Sequence, residues 1–179
     1  PKDLPKLVDI LRHLTIEDKD KFMLANSADW DGFPFAHYWE SLAKEDFNTY
    51  IKIVPEFSKG LHIPKEHVPC TFLFAFNDKN ELIGRTSIRH ELTDHLLQVG
   101  GHIGYGVIPE HRKKGYATAI LKESLNYVKN NLSHIQKVLV TCDADNTGSQ
   151  KTIEKNCGVL ENIIDISGET KKMRYWIEV

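Results

Sequence analysis

Apolar and polar residues alternate from Val8 to Leu14, the pattern of a half-buried strand. Thr15-x-x-Asp18 then has the form of a capping box and opens a helix to about Ala25. Residues 26–36 are rich in turn formers and aromatics. From Tyr38 to about Ile53, the residues Trp39, Leu42, Ala43, Phe47, Tyr50 and Ile51 recur near helical spacing and predict a second helix. Pro55, Gly60, Pro64 and Pro69 make 55–69 a surface loop. Thr71–Phe76 and Glu81–Arg89 read as strands joined by the Asn77–Asn80 hairpin turn. Leu92–Leu97 is a short turn or helix, and residues 101–108 a glycine-weakened, bulged strand. In the helix over about 115–131, Ala117, Leu121, Leu125, Val128 and Leu132 share one face. A strand at 137–142, a helix at 147–156 and a hairpin of 163–166 with 173–179 close the chain. The order is β-αα-βββ-α-β-α-ββ, an α/β (α+β) mixed sheet of about seven strands, and 1–179 is expected to form a single domain.

Composition supports one folded domain: 179 residues with 41 % hydrophobic content can bury a core. The formal net charge of -2 opposes nucleic acid as the main partner. Cys70, Cys142 and Cys157 are odd in number and lack metal-ligand spacing, which suits a reducing, cytoplasmic setting. The histidine pairs His62-x-x-x-x-His67 and His90-x-x-x-x-His95 do not match a metal site, so no metal is expected. No run approaches the roughly 18 apolar residues of a membrane span, so no membrane partner is expected either. The chain begins at Pro1 without Met.

The densest chemical signal lies at 102–118. A strand with Gly100, Gly101, Gly104 and Gly106 in or before it breaks at Pro109. The basic turn Arg112-Lys113-Lys114-Gly115-Tyr116-Ala117 follows and leads into the amphipathic helix. Unpaired N–H groups and the helix dipole make such a turn a phosphate site, and the cations add attraction for a small polyanion. Gly115 and Ala117 are small enough to let backbone N–H groups reach an anion. The weakened strand suits an extended, hydrogen-bonding arm on the same ligand.

Arg112-x-x-Gly115-x-Ala117, preceded by Val107-x-Pro109, resembles the acetyl-CoA-binding motif of the GNAT N-acetyltransferase superfamily. The strand Val138–Cys142, then Asp145-Asn146-x-x-Ser149 and a helix ending at Asn156-Cys157-Gly158, is similar to that superfamily's second cofactor-side segment. The resemblance implies a GNAT-like central sheet of about seven strands flanked by about four helices. It also implies an acyltransferase that moves acetyl from acetyl-CoA to a small-molecule or peptide amine by direct attack in a ternary complex. The implied cofactor contacts are Gly106, Val107, Ile108, Arg112, Lys113, Lys114, Gly115, Tyr116, Ala117, Thr118 and Asn146. A backbone N–H near Tyr105–Val107 would serve the oxyanion.

His102 stands where many relatives carry an acidic residue, and a neutral imidazole is a competent general base. Its alternative is a hydrogen-bonding role on a sheet face. Asn146 is equally fit for a helix N-cap. Ile153 departs from the family, where a tyrosine at this position protonates the departing thiolate; Tyr105 is the nearest tyrosine in the motif. Ile153 and Cys157 are four apart and read as a buried helix stripe. Trp30, Phe33, Phe35, Tyr38, Trp39 and Phe47 either line an acceptor pocket or form core. A non-catalytic acyl-CoA-binding or sensing module is the competing function. A nucleic-acid-binding role for the basic turn is the weakest.

Overall fold

The computed structural model describes residues 10–30 and 34–179. Val8, Asp9 and Phe33 therefore lie outside the described residues. The elements are β1 Ile10–Arg12, α1 Lys19–Asn26, α2 Glu40–Glu45, α3 Phe47–Ile53, β2 Cys70–Phe76 and β3 Leu82–Arg89. They continue with α4 Asp94–Gln98, β4 Ile103–Val107, α5 Tyr116–Asn131, β5 Lys137–Asp143, α6 Thr147–Lys155, β6 Val159–Ile164 and β7 Lys172–Glu178. The strand order along the chain is the one the alternation predicts.

The seven strands divide into an antiparallel sheet ordered β1-β2-β3-β4 and a second ordered β5-β7-β6. The two meet where the His102 N–H donates to Leu139 O at 2.8 Å. Beyond that point β4 has no partner strand on its outer side among the described residues. This junction is possible because of Gly101, which sits at φ +59 and where a Cβ would lie only 2.4 Å from Leu139 O. A side chain there would push the sheets apart.

The expected bulge inside the β4 strand is absent. The β3–β4 register runs unbroken from Gly84↔Val107 to Ile88↔Ile103. The distortion falls earlier, at Gly100 (φ +97) and Gly101. Two further expectations change. The single helix over Tyr38–Ile53 breaks at Asp46, whose carboxylate accepts the Thr49 N–H at 3.2 Å and caps α3. With that break and α4, six α-helices are described rather than about four. The supposed surface loop after Pro55 begins as a 3-10 turn, Val54–Lys59, because Val54 and Phe57, three apart, share its buried side.

One core lies beneath α1–α3, where Phe22, Phe35, Phe47, Tyr50 and Phe74 pack ring against ring on β2. A second joins α5 and α6 to β4, β5 and β7 through Leu121, Val128, Val140, Ile153 and Tyr175. Ile120 bridges α5 to β3, where Gly84 lacks a side chain and admits it. Among the described residues no helix is long and apolar enough to cross a membrane.

Candidate active site

Two antiparallel bonds fix which backbone groups of β4 are free. His102 O accepts from Arg89 N, and Ile108 N donates to Ile83 O. Paired positions alternate in such a ladder, so Ile103, Tyr105 and Val107 turn their N–H and C=O groups toward the open edge. Val107 O takes the Arg112 Nε–H at 3.3 Å. The N–H groups of Tyr105 and Val107 remain for a ligand lying along the edge as a substitute strand.

At the end of β4 the chain passes through a 3-10 turn, Pro109–His111, and then places Lys113 (φ 62) and Gly115 (φ 84) in left-handed conformations. The His111 and Arg112 N–H groups donate back to Ile108 O and Pro109 O. The N–H groups of residues 113–118 have no acceptor among the described residues; the first one satisfied is Ala119 N, on Gly115 O at 3.2 Å. Backbone that alternates into the left-handed region in this way folds N–H groups around a concavity. Here that concavity heads the 16-residue α5, so the helix dipole adds positive charge to it.

A cleft of about 690 Å³ covers this turn and the open edge of β4. Of the sequence-predicted contacts, Gly106, Val107, Arg112, Lys113, Gly115, Tyr116, Ala117, Thr118 and Asn146 line it, as does the catalytic candidate Tyr105. Ile108 and Lys114 do not: Ile108 is 3 % exposed in the core beneath α1–α3, and Lys114 is exposed away from the lining. Lys151 and Lys155, one turn apart on α6, also line the cleft. Sequence reasoning missed these two, although their spacing beside the buried Thr152 and Ile153 was the available signal. Trp30 closes the cleft from the other side, its ring 5.8 Å from the Arg112 guanidinium carbon.

Asn146 is the α6 N-cap, its Oδ1 accepting Ser149 N–H at 3.1 Å. Its side-chain NH2 is not used by that cap. The Tyr105 hydroxyl interacts with Ser149 and Thr152 of α6, and burial pushes the phenol up to about 12. The Ile153 side chain is fully buried, at 0 % exposure. The Cβ of an alanine at Gly158 would lie 2.4 Å from its Cγ2, so the turn after α6 closes directly over it. Cys157 does not share that stripe, because α6 ends at Lys155 and Cys157 is exposed at φ 66.

His102 is 6 % exposed at the junction of the sheets. Its Nδ1 accepts the Leu139 N–H at 2.9 Å, which places its own proton on Nε2. Burial first, then the nearby Arg89 and His134, lowers its pKa to about 4.

The aromatic set divides as well. Phe35 and Phe47 are core, Trp30 lies on the cleft just described, Tyr38 lines a different cleft, and Trp39 is exposed with its indole N–H on His62 O.

The family described as "Acetyltransferase (GNAT) domain" matches residues 10–158. The chain is 24 % identical over 109 residues to the uncharacterized N-acetyltransferase YjdG of Bacillus subtilis (strain 168), a match spanning 61 % of this chain and 59 % of that protein. A chimera of the Vibrio cholerae spermidine N-acetyltransferase SpeG and hSSAT superposes with TM-score 0.61 at 18 % identity, over 94 % of this chain and 96 % of that one. An acetyltransferase of Agrobacterium tumefaciens str. C58 gives 0.58 at 14 % identity, over 94 % and 90 %. At such identities these solved structures speak for the fold.

Proposed function

The chain belongs to the GNAT acetyltransferase family, and we propose that it moves acetyl from acetyl-CoA to the amine of a small molecule or peptide by direct attack in a ternary complex. It is an acetyltransferase by family; the donor, acceptor and residue roles are our reading. One observation carries it: the unpaired N–H groups of residues 113–118 head α5 directly beside the open edge of β4. The first feature fits a pyrophosphate, and the second fits an extended amide-bearing arm. Arg112, Lys113, Lys151 and Lys155 supply the surrounding positive charge.

The cosubstrate supplies an activated acetyl thioester. The chain holds its carbonyl against the β4 edge, where the Tyr105 or Val107 N–H meets charge developing on oxygen. A neutral amine attacks there; the N–C bond forms as the C–S bond breaks. The amine's proton passes to water, and the sulfur leaves as thiolate. Tyr105, the phenol next to α6, donates a hydrogen bond to that thiolate and takes over the position that Ile153 has vacated. His102 joins the two sheets rather than acting as the base. Its accepting nitrogen is occupied and its pKa is far below neutrality, so it has neither the lone pair nor the basicity the role needs. We place the reaction in the cytoplasm, within one domain spanning 1–179.

The competing reading, an acyl-CoA sensor, draws on the buried Ile153. Release of free CoA thiol on incubation with acetyl-CoA and a panel of amines separates the two. Amine-dependent release supports the enzyme; tight CoA binding with no release from any amine supports the sensor.

A further inference from the structure

A second cleft, also about 690 Å³, shares no lining residue with the first; His37, Tyr38, Cys70 and Arg89 line it, together with Gly100 just before β4. Strand alternation explains why an arginine is there. Thr86 and Ile88 of β3 face α5, where Thr86 accepts the Ser124 hydroxyl at 2.8 Å and Ile88 packs with Leu121. Arg89 is therefore turned to the opposite face. Its Nη1 donates to Gly100 O and Gly101 O, each at 3.1 Å. Nη2 has no protein acceptor, and no carboxylate lies within ion-pair distance of Arg89 among the described residues.

The guanidinium stands over the part of β4 that lacks a side chain. A Cβ on Gly104 would lie 3.9 Å from both Nη1 and Nη2 of Arg89. Arg89, which lines the second cleft, thus stands beside β4, the strand that would hold the thioester. The wall beside it is strained: His37 and Trp39 both adopt left-handed φ, which holds the His37 ring stacked 5.3 Å from Phe72. Glu66 and Asp94 also border this cleft, but both are solvent-exposed, so their charge is screened.

We propose that the acceptor is an amine carrying its own acidic group, a carboxylate or a phosphate, which seats on Arg89 while the amine reaches β4 across Gly104. This rests on the acetyltransferase reading above and names the acceptor class. A partly desolvated guanidinium with donors to spare recognises a planar or tetrahedral oxyanion. A polycation would meet the opposite: a half-buried positive charge and, among the described lining residues, no buried carboxylate. The imidazoles nearby report the same field. Burial first, then Arg85 and after it Arg89, lowers His37 to about 3; burial first, then Arg89, lowers His102 to about 4.

The test uses the full chain, acetyl-CoA and matched amines: glycine against glycinamide, phosphoethanolamine against ethanolamine, and spermidine. kcat/KM is corrected for the fraction of free amine. We expect the acidic member of at least one pair to lead by roughly 10-fold or more, as for a site built around a charged group. The pair that shows it distinguishes carboxylate from phosphate. In Arg89→Gln that lead should shrink toward unity, and in Arg89→Lys it should survive in part; CoA affinity, read at the other cleft, reports whether each variant is folded. If Arg89→Gln does not fold, the wild-type ratios and Arg89→Lys decide. Preference for glycinamide, ethanolamine or spermidine overturns the proposal, as does an unchanged ratio in a folded Arg89→Gln. Those outcomes leave the acetyltransferase reading standing, whereas no release of CoA with any amine removes both.

Discussion

Replacing His102 separates a base from a strand-joining residue. In His102→Asn, the amide oxygen falls near the position of Nδ1 and can still accept the Leu139 N–H now held at 2.9 Å. In His102→Leu, that buried N–H loses its partner, at a cost of about 1–3 kcal/mol. A strand-joining role predicts that His102→Asn keeps kcat within a few-fold while His102→Leu melts markedly earlier. The pH dependence of stability gives a second magnitude. The unfolded imidazole titrates near 6.5 and the folded one at about 4. Between those values the unfolded chain binds a proton that the native one does not, so stability falls as pH falls from 6.5 to 4. At ~1.4 kcal/mol per pH unit, discounted for nearby solvent, the loss is on the order of 2–3 kcal/mol. His102→Asn should lose that share of the acid sensitivity, leaving the parts due to His13, His37 and His90, which burial also lowers. The assays are thermal melting from pH 7.5 to 4 and thiol-release kinetics at fixed acetyl-CoA. A folded His102→Asn that is roughly 10²–10⁴-fold slower and lacks the acidic limb of the rate profile would refute the reasoning and restore the base.

Three further outcomes follow. Ile153→Tyr should melt at lower temperature, by about 1–3 kcal/mol of overpacking, and gain no turnover; a stable and faster enzyme would show that the site lacks only an acid. Tyr105→Phe should lower kcat by roughly 10–100-fold with little change in KM, short of the full range for a general acid because a phenol at about 12 is poorly matched to a thiol; unchanged kcat would leave Tyr105 a packing residue. Gly101→Ala places a methyl 2.4 Å from Leu139 O at φ +59 and should cost about 1–3 kcal/mol, seen in denaturant unfolding; wild-type stability would mean that the sheets do not need that close approach.

Much of this architecture was legible in the chain because its signals are local. The basic turn, the glycine before α5 and the apolar face of α5 each depend on neighbours within a few residues, and the structure brings them together on one cleft. The errors fall where long-range contacts override a local pattern. Helical spacing across Tyr38–Ile53 hides Asp46, which uses its carboxylate as a cap. A proline-rich loop was expected where Val54 and Phe57 turn into the aromatic core. For His102 the sequence leaves a base and a hydrogen-bonding role open, and no local pattern carries the Leu139 N–H, 37 residues away, that its Nδ1 accepts. Arg89 gave no signal at all, since a lone arginine ending a strand reads as solvated until the fold places it over Gly104.

The central claim is that the turn at the head of α5 holds the phosphates of CoA. Calorimetric titration of CoA into the native chain and into Gly115→Glu tests it most directly. The account predicts micromolar-order binding by the native protein. It predicts loss of that binding in a folded Gly115→Glu, where a carboxylate would stand among the free N–H groups of residues 113–118. Equal affinity in the two proteins would contradict it.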